Sequence, residues 1–249
     1  MIGKTDTNSN PADTSRFATT HWSIVLAAGN SSSSQHKQAL SSLCQTYWFP
    51  LYAYLRRQGH DPQKTEDYIQ SFLAYIIEKC ALGRADRNRG KFRSFLLASL
   101  KNFMRNEWDY THSQKLGGHK RILSLDTMTA ETRYGIEPVD RLSPDKLFER
   151  SWAVTILQNA LDQLKKESTH AGRTNTFDHL VDYLTGEPDR ASYKQIAASL
   201  DMTEDAIKSA VYRLRRRYRE LVRAEIAHTV ANEKQIEDEI NDLFSALAT

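Results

Sequence analysis

The sequence predicts an all-α protein in which two small helical domains are joined by a flexible linker. Apolar residues recur at three- and four-residue intervals, the spacing of one helix face, in most of the chain after residue 35. No stretch shows the alternation of apolar and polar residues that marks a half-buried strand. A stretch with few apolar residues, broken by Gly and Pro, separates the two helical regions at residues 111–143.

Length, charge and cysteine usage limit the classes of protein that need to be considered. A chain of 249 residues is long enough for two domains. It contains no run of about 20 apolar residues and no apolar core near its start, so we expect a cytoplasmic protein without a membrane partner. Cys44 and Cys80 lack metal-ligand spacing and are expected to be buried. No metal, cofactor or catalytic residue is predicted.

The first predicted domain spans residues 35–110 and follows an N-terminal extension, residues 1–34. Its first helix covers residues 35–57, with Pro50 expected to kink or break it. The next two helices are predicted at residues 64–82 and 92–108, with a basic loop between them.

After the linker, where a short ordered piece is expected at 122–125, the second predicted domain spans residues 144–231. Its helices are predicted at residues 145–166, 177–184, 193–200 and 204–230. The last segment, residues 232–249, is predicted to form an acidic amphipathic helix whose packing partner the sequence does not reveal.

Residues 192–217 have the layout of a helix-turn-helix. The small side chain of Ala197 lets a second helix cross closely, Asp201 tolerates the left-handed conformation of a sharp turn, and Thr203 caps the next helix. The residues expected to face inward are Ile207, Val211 and Leu214.

The opposite face of the second helix carries side chains that hydrogen-bond to phosphates and base edges in a major groove. We predict that these residues bind DNA: Lys208, Ser209, Tyr212, Arg213, Arg215 and Arg216. A merely solvated helix face is the alternative, and the turn that precedes the helix favours DNA binding.

A second constellation combines the helix at residues 64–82 with a basic loop and the helix that follows. Positively charged side chains beside aromatic and amide side chains can bind the phosphate backbone of a nucleic acid and an unstacked base. An ordinary charged loop has the same composition. The predicted DNA-binding residues of this region are Arg84, Arg87, Arg89, Lys91, Arg93, Asn102 and Arg105.

The first domain with its basic loop, followed by the helix-turn-helix, resembles the extracytoplasmic-function (ECF) sigma factors of bacterial RNA polymerase. The resemblance covers residues 35–225. The segment 17–22 and the acidic tail resemble a planctomycete-type subgroup. The resemblance implies two partners, core RNA polymerase and promoter DNA. The first domain, like sigma region 2, would bind the polymerase clamp and the −10 element, and the second, like region 4, the −35 element. An anti-sigma factor or another regulator is a further candidate partner.

The resemblance also assigns roles to individual residues. The clamp-binding motif falls on Asp67, Gln70 and Ser71, with Ser71 in place of the usual Glu. The promoter-opening segment falls on residues 90–106, with Asn102 at the base-contact position. The −35 readers fall on Lys208, Ser209, Tyr212, Arg213 and Arg215.

Three alternatives remain open at this stage. A stand-alone helix-turn-helix regulator would need only the second domain. Arg223 and His228 fit the short Arg-x4-His pattern that resembles HEPN-type ribonucleases. The acidic tail either packs on the second domain or covers the basic helix as an inhibitory element, since its carboxylates oppose the charge of residues 213–223.

Overall fold

The computed structural model describes residues 34–81, 91–111, 127–136, 142–185, 192–230 and 233–248, and their fold is all-α. The only β-type pairing within these ranges is an isolated bridge between Lys91 and Val230. The predicted fold class is therefore confirmed at the level of secondary structure. The extension before residue 34 and the expected ordered piece at 122–125 lie outside the described residues.

The first region contains three helices: α1 Ser34–Arg57, α2 Pro62–Ala81 and α3 Phe92–Thr111. Helix α1 continues through Pro50, where the sequence predicted a kink or a break. Phe49 and Leu51 on either side are buried, so tertiary packing holds the helix although proline removes one backbone donor.

The remaining helices are α4 Thr127–Ile136, α5 Pro144–His170, α6 Thr174–Leu180, α7 Asp182–Thr185, α8 Tyr193–Ser199, α9 Glu204–Ala227 and α10 Lys234–Leu247. Helix α5 starts where Ser143 accepts a hydrogen bond from the Lys146 amide at 3.3 Å and Pro144 fills the first turn. The single helix predicted at 177–184 is divided at Val181 into α6 and α7.

The main hydrophobic core is shared by both predicted domains. Tyr47 of α1 lies 5.1 Å from the ring of Phe92 in an edge-on contact and 6.4 Å from the ring of Phe148 on α5. Trp152 of α5 and Ile226 of α9 belong to the same core. The main core therefore includes residues from both predicted domains, 35–110 and 144–231, and two smaller clusters lie within the second range alone.

Helix α5 explains how the core crosses the predicted boundary. Its 27 residues make it about 40 Å long, so its two ends reach different neighbours. Phe148 and Trp152 near its start lie in the main core, whereas Ala160 and Leu164 pack against Phe177 in a smaller cluster. The helix-turn-helix region thus packs against the C-terminal half of α5, whereas the N-terminal half of α5 packs against the helices of the first region.

Helix α4 occupies part of the stretch that the sequence predicted to be a linker. Its Glu131 carboxylate accepts hydrogen bonds from Arg56 at 2.7 Å and from the Tyr52 hydroxyl at 2.6 Å, both on α1. The Arg133 guanidinium carbon lies 3.7 Å from the centroid of the Phe49 ring. These contacts hold a short helix whose own sequence carries few apolar residues.

Two further expectations concern the membrane and cysteine chemistry. None of the helices among the described residues combines the length and apolar character that crossing a membrane requires. Cys44 is buried in the main core, as predicted. Within the same ranges no cluster of three or more His, Cys, Asp or Glu side chains could hold a metal ion.

Candidate nucleic-acid interface

Helices α8 and α9 form a helix-turn-helix through a turn at residues 200–203. The hydroxyl of Ser192 accepts from the Gln195 amide at 3.3 Å, and the Gln195 side chain accepts from the Ser192 amide at 2.8 Å, a capping box that starts α8. In the turn, Asp201 has a φ of +52°, the predicted left-handed conformation. Thr203 then caps α9, as predicted, by accepting from the Ala206 amide at 3.2 Å.

A small core fixes the angle between these two helices. Ala197 on α8 is buried against α9, whose Ile207 and Val211 are also buried, so the predicted inward face is confirmed. Leu214 is partly buried and packs against both smaller clusters. Tyr183 of α7 stacks on Tyr193 with 4.9 Å between the ring centroids.

With that face buried, the opposite face of α9 is open to solvent. The exposed residues include Lys208, Ser209, Tyr212, Arg213 and Arg216. Tyr212 is 68% exposed and lies among these polar and basic side chains. Lys208 pairs with Asp205 at 3.2 Å and Arg216 with Glu220 at 3.1 Å, both exposed pairs that solvent weakens. The predicted readers thus form one accessible surface, here called the α9 face.

Arg215 differs from the other predicted readers. Its guanidinium donates two hydrogen bonds to the Tyr183 carbonyl oxygen, at 3.2 and 3.0 Å. At 100° per residue it lies at the edge of the α9 face, beside the buried stripe. Its bonds tie α9 to α7, and its side chain remains exposed at that edge.

Arg217, next to Arg216, connects α9 to α5. Its guanidinium donates two hydrogen bonds of 2.8 Å to the Glu167 carboxylate at the end of α5. The hydrogen bonds with Glu167 and Glu220 raise the pKa of Arg217 above its ordinary value. This bidentate pair fixes the α9 face relative to the long helix.

The basic loop of the first region is described only in part. Arg84, Arg87 and Arg89 lie outside the described residues. Lys91 and Arg93, at the start of α3, do not form the exposed positive patch that the sequence predicted. Arg93 is only 7% exposed, because its guanidinium is enclosed by carboxylates from α5 and α10.

Further along α3, two predicted DNA-contacting residues do reach solvent. Asn102 and Arg105 are exposed, whereas Phe95, Leu96 and Leu100 of the same helix are buried in the main core. Lys101, which directly precedes Asn102, pairs with Asp145 of α5 at 2.7 Å. Helix α3 therefore has a polar outer side that carries the residue expected to contact a base.

The three residues assigned to polymerase binding do not share one exposed surface. Asp67 on α2 is exposed and Ser71, one turn later, is half-buried. Gln70 is 8% exposed and points into the protein, because position 70 lies beside the buried Ile69 and Phe72. Asp67 is therefore the most exposed member of the predicted motif.

The two residues of the ribonuclease-like pattern have different surroundings. Arg223 pairs with Glu237 of α10. His228 ends α9 and lines a separate polar depression with Ser42, Asn159 and Glu225. Burial lowers the pKa of His228, which favours the neutral imidazole.

Sequence reasoning missed the acidic partners of Lys91 and Arg93. Glu239 occupies a position in the apolar stripe of α10, three residues after Ile236 and four before Leu243, and its side chain is fully buried. A carboxylate in an apolar stripe requires a buried cationic partner. The position of Glu239 in the apolar stripe could therefore have predicted a buried ion pair. The sequence does not say which cation is its partner.

Comparisons of the chain with protein-family models, with curated proteins and with solved structures found no match. A functional assignment therefore depends on the residues of the chain itself and on where the structure places them.

Proposed function

We propose that this chain is a transcription initiation factor of the ECF sigma type, which binds core RNA polymerase and directs it to promoter DNA. The observation that carries the proposal is the α9 face: basic, hydroxyl and aromatic side chains exposed on the second helix of a helix-turn-helix. The sequence resemblance adds the polymerase partner, and a factor that joins the polymerase would act in the cytoplasm.

In this proposal the two helical regions read different promoter elements. The α9 face enters the major groove of the −35 duplex, where Lys208 and Arg213 contact phosphates and base edges. The outer side of α3, with Asn102 and Arg105, meets the −10 element, and capture of unstacked bases there offsets the few kcal/mol that unstacking costs. The phosphoryl chemistry belongs to the polymerase, so the chain itself needs no catalytic residue, metal or cofactor.

The test is reconstitution with bacterial core polymerase. The purified chain is mixed with core enzyme and followed by size-exclusion chromatography, and the mixture is then assayed for transcripts that start at defined sites. We expect co-migration and specific initiation. Failure of a folded, DNA-binding preparation to join its cognate core enzyme would overturn the proposal.

A stand-alone DNA-binding regulator is the second candidate, because Lys91 and Arg93 are covered in this structure whereas the α9 face is open. Such a regulator would bind specific duplex DNA without core polymerase. The same reconstitution separates the two functions, since only the sigma-type factor changes where the polymerase starts.

A further inference from the structure

The start of α3 and helix α10 are joined by a compact ion-pair cluster. Arg93 donates to Glu239 at 3.0 and 2.9 Å and to Asp242 at 2.7 Å, and it also pairs with Glu149 of α5. The Lys91 ammonium lies 2.8 Å from both Glu239 and Asp242. Two cations that the sequence assigned to nucleic acid therefore face three carboxylates of the chain itself.

Burial makes this cluster different from ordinary surface pairs. The Glu239 side chain is fully buried, and the Arg93 guanidinium carbon lies 4.3 Å from the centroid of the Trp152 ring. Burial alone would disfavour the charges of Lys91 and Arg93, but the bonds to Glu239 and Asp242 raise the pKa of both groups above its ordinary value. Both side chains stay charged; the Arg93 side chain is 8% exposed and the Lys91 side chain 21%, and the carboxylates of Glu239 and Asp242 occupy their donors.

Apolar packing and a backbone hydrogen bond also hold helix α10 against the rest of the protein. Ile236 and Leu243 of α10 are buried in the main core. The segment between α9 and α10 is also attached to α3, because the Phe92 amide donates to the Thr229 carbonyl at 3.0 Å. The tail helix is thus held directly over the first turn of α3.

The acidic residues of α10 are not equivalent. Glu237 pairs with Arg223 on α9, and within the described residues Asp238 makes no ion pair. Of the basic residues 213–223 that the tail was expected to oppose, Arg223 is paired with Glu237, whereas Arg213 and Arg216 of the α9 face stay exposed. Glu239 and Asp242 instead point to the other region, where Lys91 and Arg93 lie.

We propose that α10 masks Lys91 and Arg93 from nucleic acid, with the carboxylates of Glu239 and Asp242 held where DNA phosphates would bind. This inference rests on the proposed function, in which α3 binds the −10 element of the promoter. It implies that both cations contribute to DNA binding only after α10 moves away from α3.

The test measures how DNA affinity of the full chain depends on salt. A labelled single-stranded oligonucleotide of mixed sequence is titrated with the wild-type chain and with the double variant E239Q/D242N. Each phosphate neutralised on a single strand steepens the log–log salt dependence by about 0.7. Release of two cations should therefore enlarge the ratio of affinities between about 50 and about 200 mM salt by about sevenfold.

Two variants control for general charge and for the identity of the released cations. D238N removes one negative charge from the same helix without touching Lys91 or Arg93 and should leave the salt slope unchanged. K91Q/R93Q, added to E239Q/D242N, should return the slope to its wild-type value. The masking proposal would be wrong if D238N steepened the salt slope as much as E239Q/D242N does. It would also be wrong if adding K91Q/R93Q did not restore the wild-type slope.

A milder variant keeps the test decisive if the double variant does not fold. Asp242 is half-exposed, so D242N removes one carboxylate while Glu239 stays in place. A smaller steepening in the same direction is expected for D242N. An unchanged slope in folded D242N, checked by circular dichroism, means that Arg93 is a structural residue and that α10 masks nothing.

The reconstitution with core polymerase separates the two proposals. If the wild-type chain forms a holoenzyme but E239Q/D242N shows the wild-type salt slope, masking is wrong and the sigma-type function stands. If E239Q/D242N gains the steeper slope but neither protein joins core polymerase, masking stands and the sigma-type function is wrong.

Discussion

The guanidinium of Arg93 donates two hydrogen bonds to the carboxylate of Glu239, at 3.0 and 2.9 Å, although 146 residues separate them in sequence. This pair joins the start of α3 to the tail helix α10. Breaking a buried pair leaves an uncompensated charge, which costs more than the pair contributes when both partners are present.

The first prediction concerns the stability contributed by this pair. E239A should lower the free energy of unfolding by up to about 3 kcal/mol, because Lys91 and Arg93 lose their fully buried partner; Asp242 and Glu149 remain beside Arg93 and limit the loss. The double variant R93M/E239M should recover most of that loss, since two apolar side chains can fill the same space. Urea unfolding followed by circular dichroism measures both. D238A, on the exposed side of α10, should change stability by less than about 0.5 kcal/mol.

The turn of the helix-turn-helix gives a second prediction. Asp201 has a φ of +52°, a conformation that β-branched residues adopt at a cost of about 1–2 kcal/mol. D201V should therefore lower the melting temperature, whereas D201G should keep or raise it. If D201V and D201G were equally stable in thermal unfolding, the left-handed turn would not be present in solution.

The third prediction tests the α9 face. K208A and R213A should each weaken binding to duplex DNA and reduce the salt slope by about 1, the change expected for one lost phosphate contact. Fluorescence anisotropy at several salt concentrations gives the slope. K64A removes the same charge from α2 and should leave the slope unchanged. Wild-type slopes for K208A and R213A would place the DNA contact elsewhere.

Acid sensitivity of the α1–α4 contact is the fourth prediction. The hydrogen bond with Arg56 holds the pKa of Glu131 below its ordinary value of 4.5, with burial opposing it. Because the folded-state pKa is depressed, this contact stabilises the protein above pH 4.5, and the contribution disappears as the pH falls through the folded value.

E131Q provides the measurement for that contact. It should lower the melting temperature at pH 7, and the difference from wild type should shrink as the pH falls below 4.5. A difference that stays constant down to acidic pH would mean that the ionised carboxylate of Glu131 does not stabilise α4.

The fifth prediction concerns the polymerase partner. Asp67 is the exposed member of the predicted clamp-binding motif, so D67A should weaken co-migration with core polymerase while leaving DNA binding unchanged. Gln63, exposed at the start of the same helix, supplies the control variant Q63A. Loss of the complex in Q63A but not in D67A would move the polymerase contact away from the predicted motif.

Local features of the sequence determined most of the helices and the helix-turn-helix. Periodicity predicted α1, α2, α3, α5 and α10 because a helix places every third or fourth side chain on one face. The turn at Asp201 and the cap at Thr203 were predictable because each depends on the residue itself and its immediate neighbours.

Tertiary structure decided the features that depend on distant residues. Helix α4 exists because Glu131 meets Arg56 and Tyr52, and Arg93 is buried because Glu239 reaches it. The same packing joins α1 and α5 in one core and turns Gln70 inward. A chain's local pattern specifies which face of a helix is apolar, but the element that covers that face is chosen by three-dimensional packing.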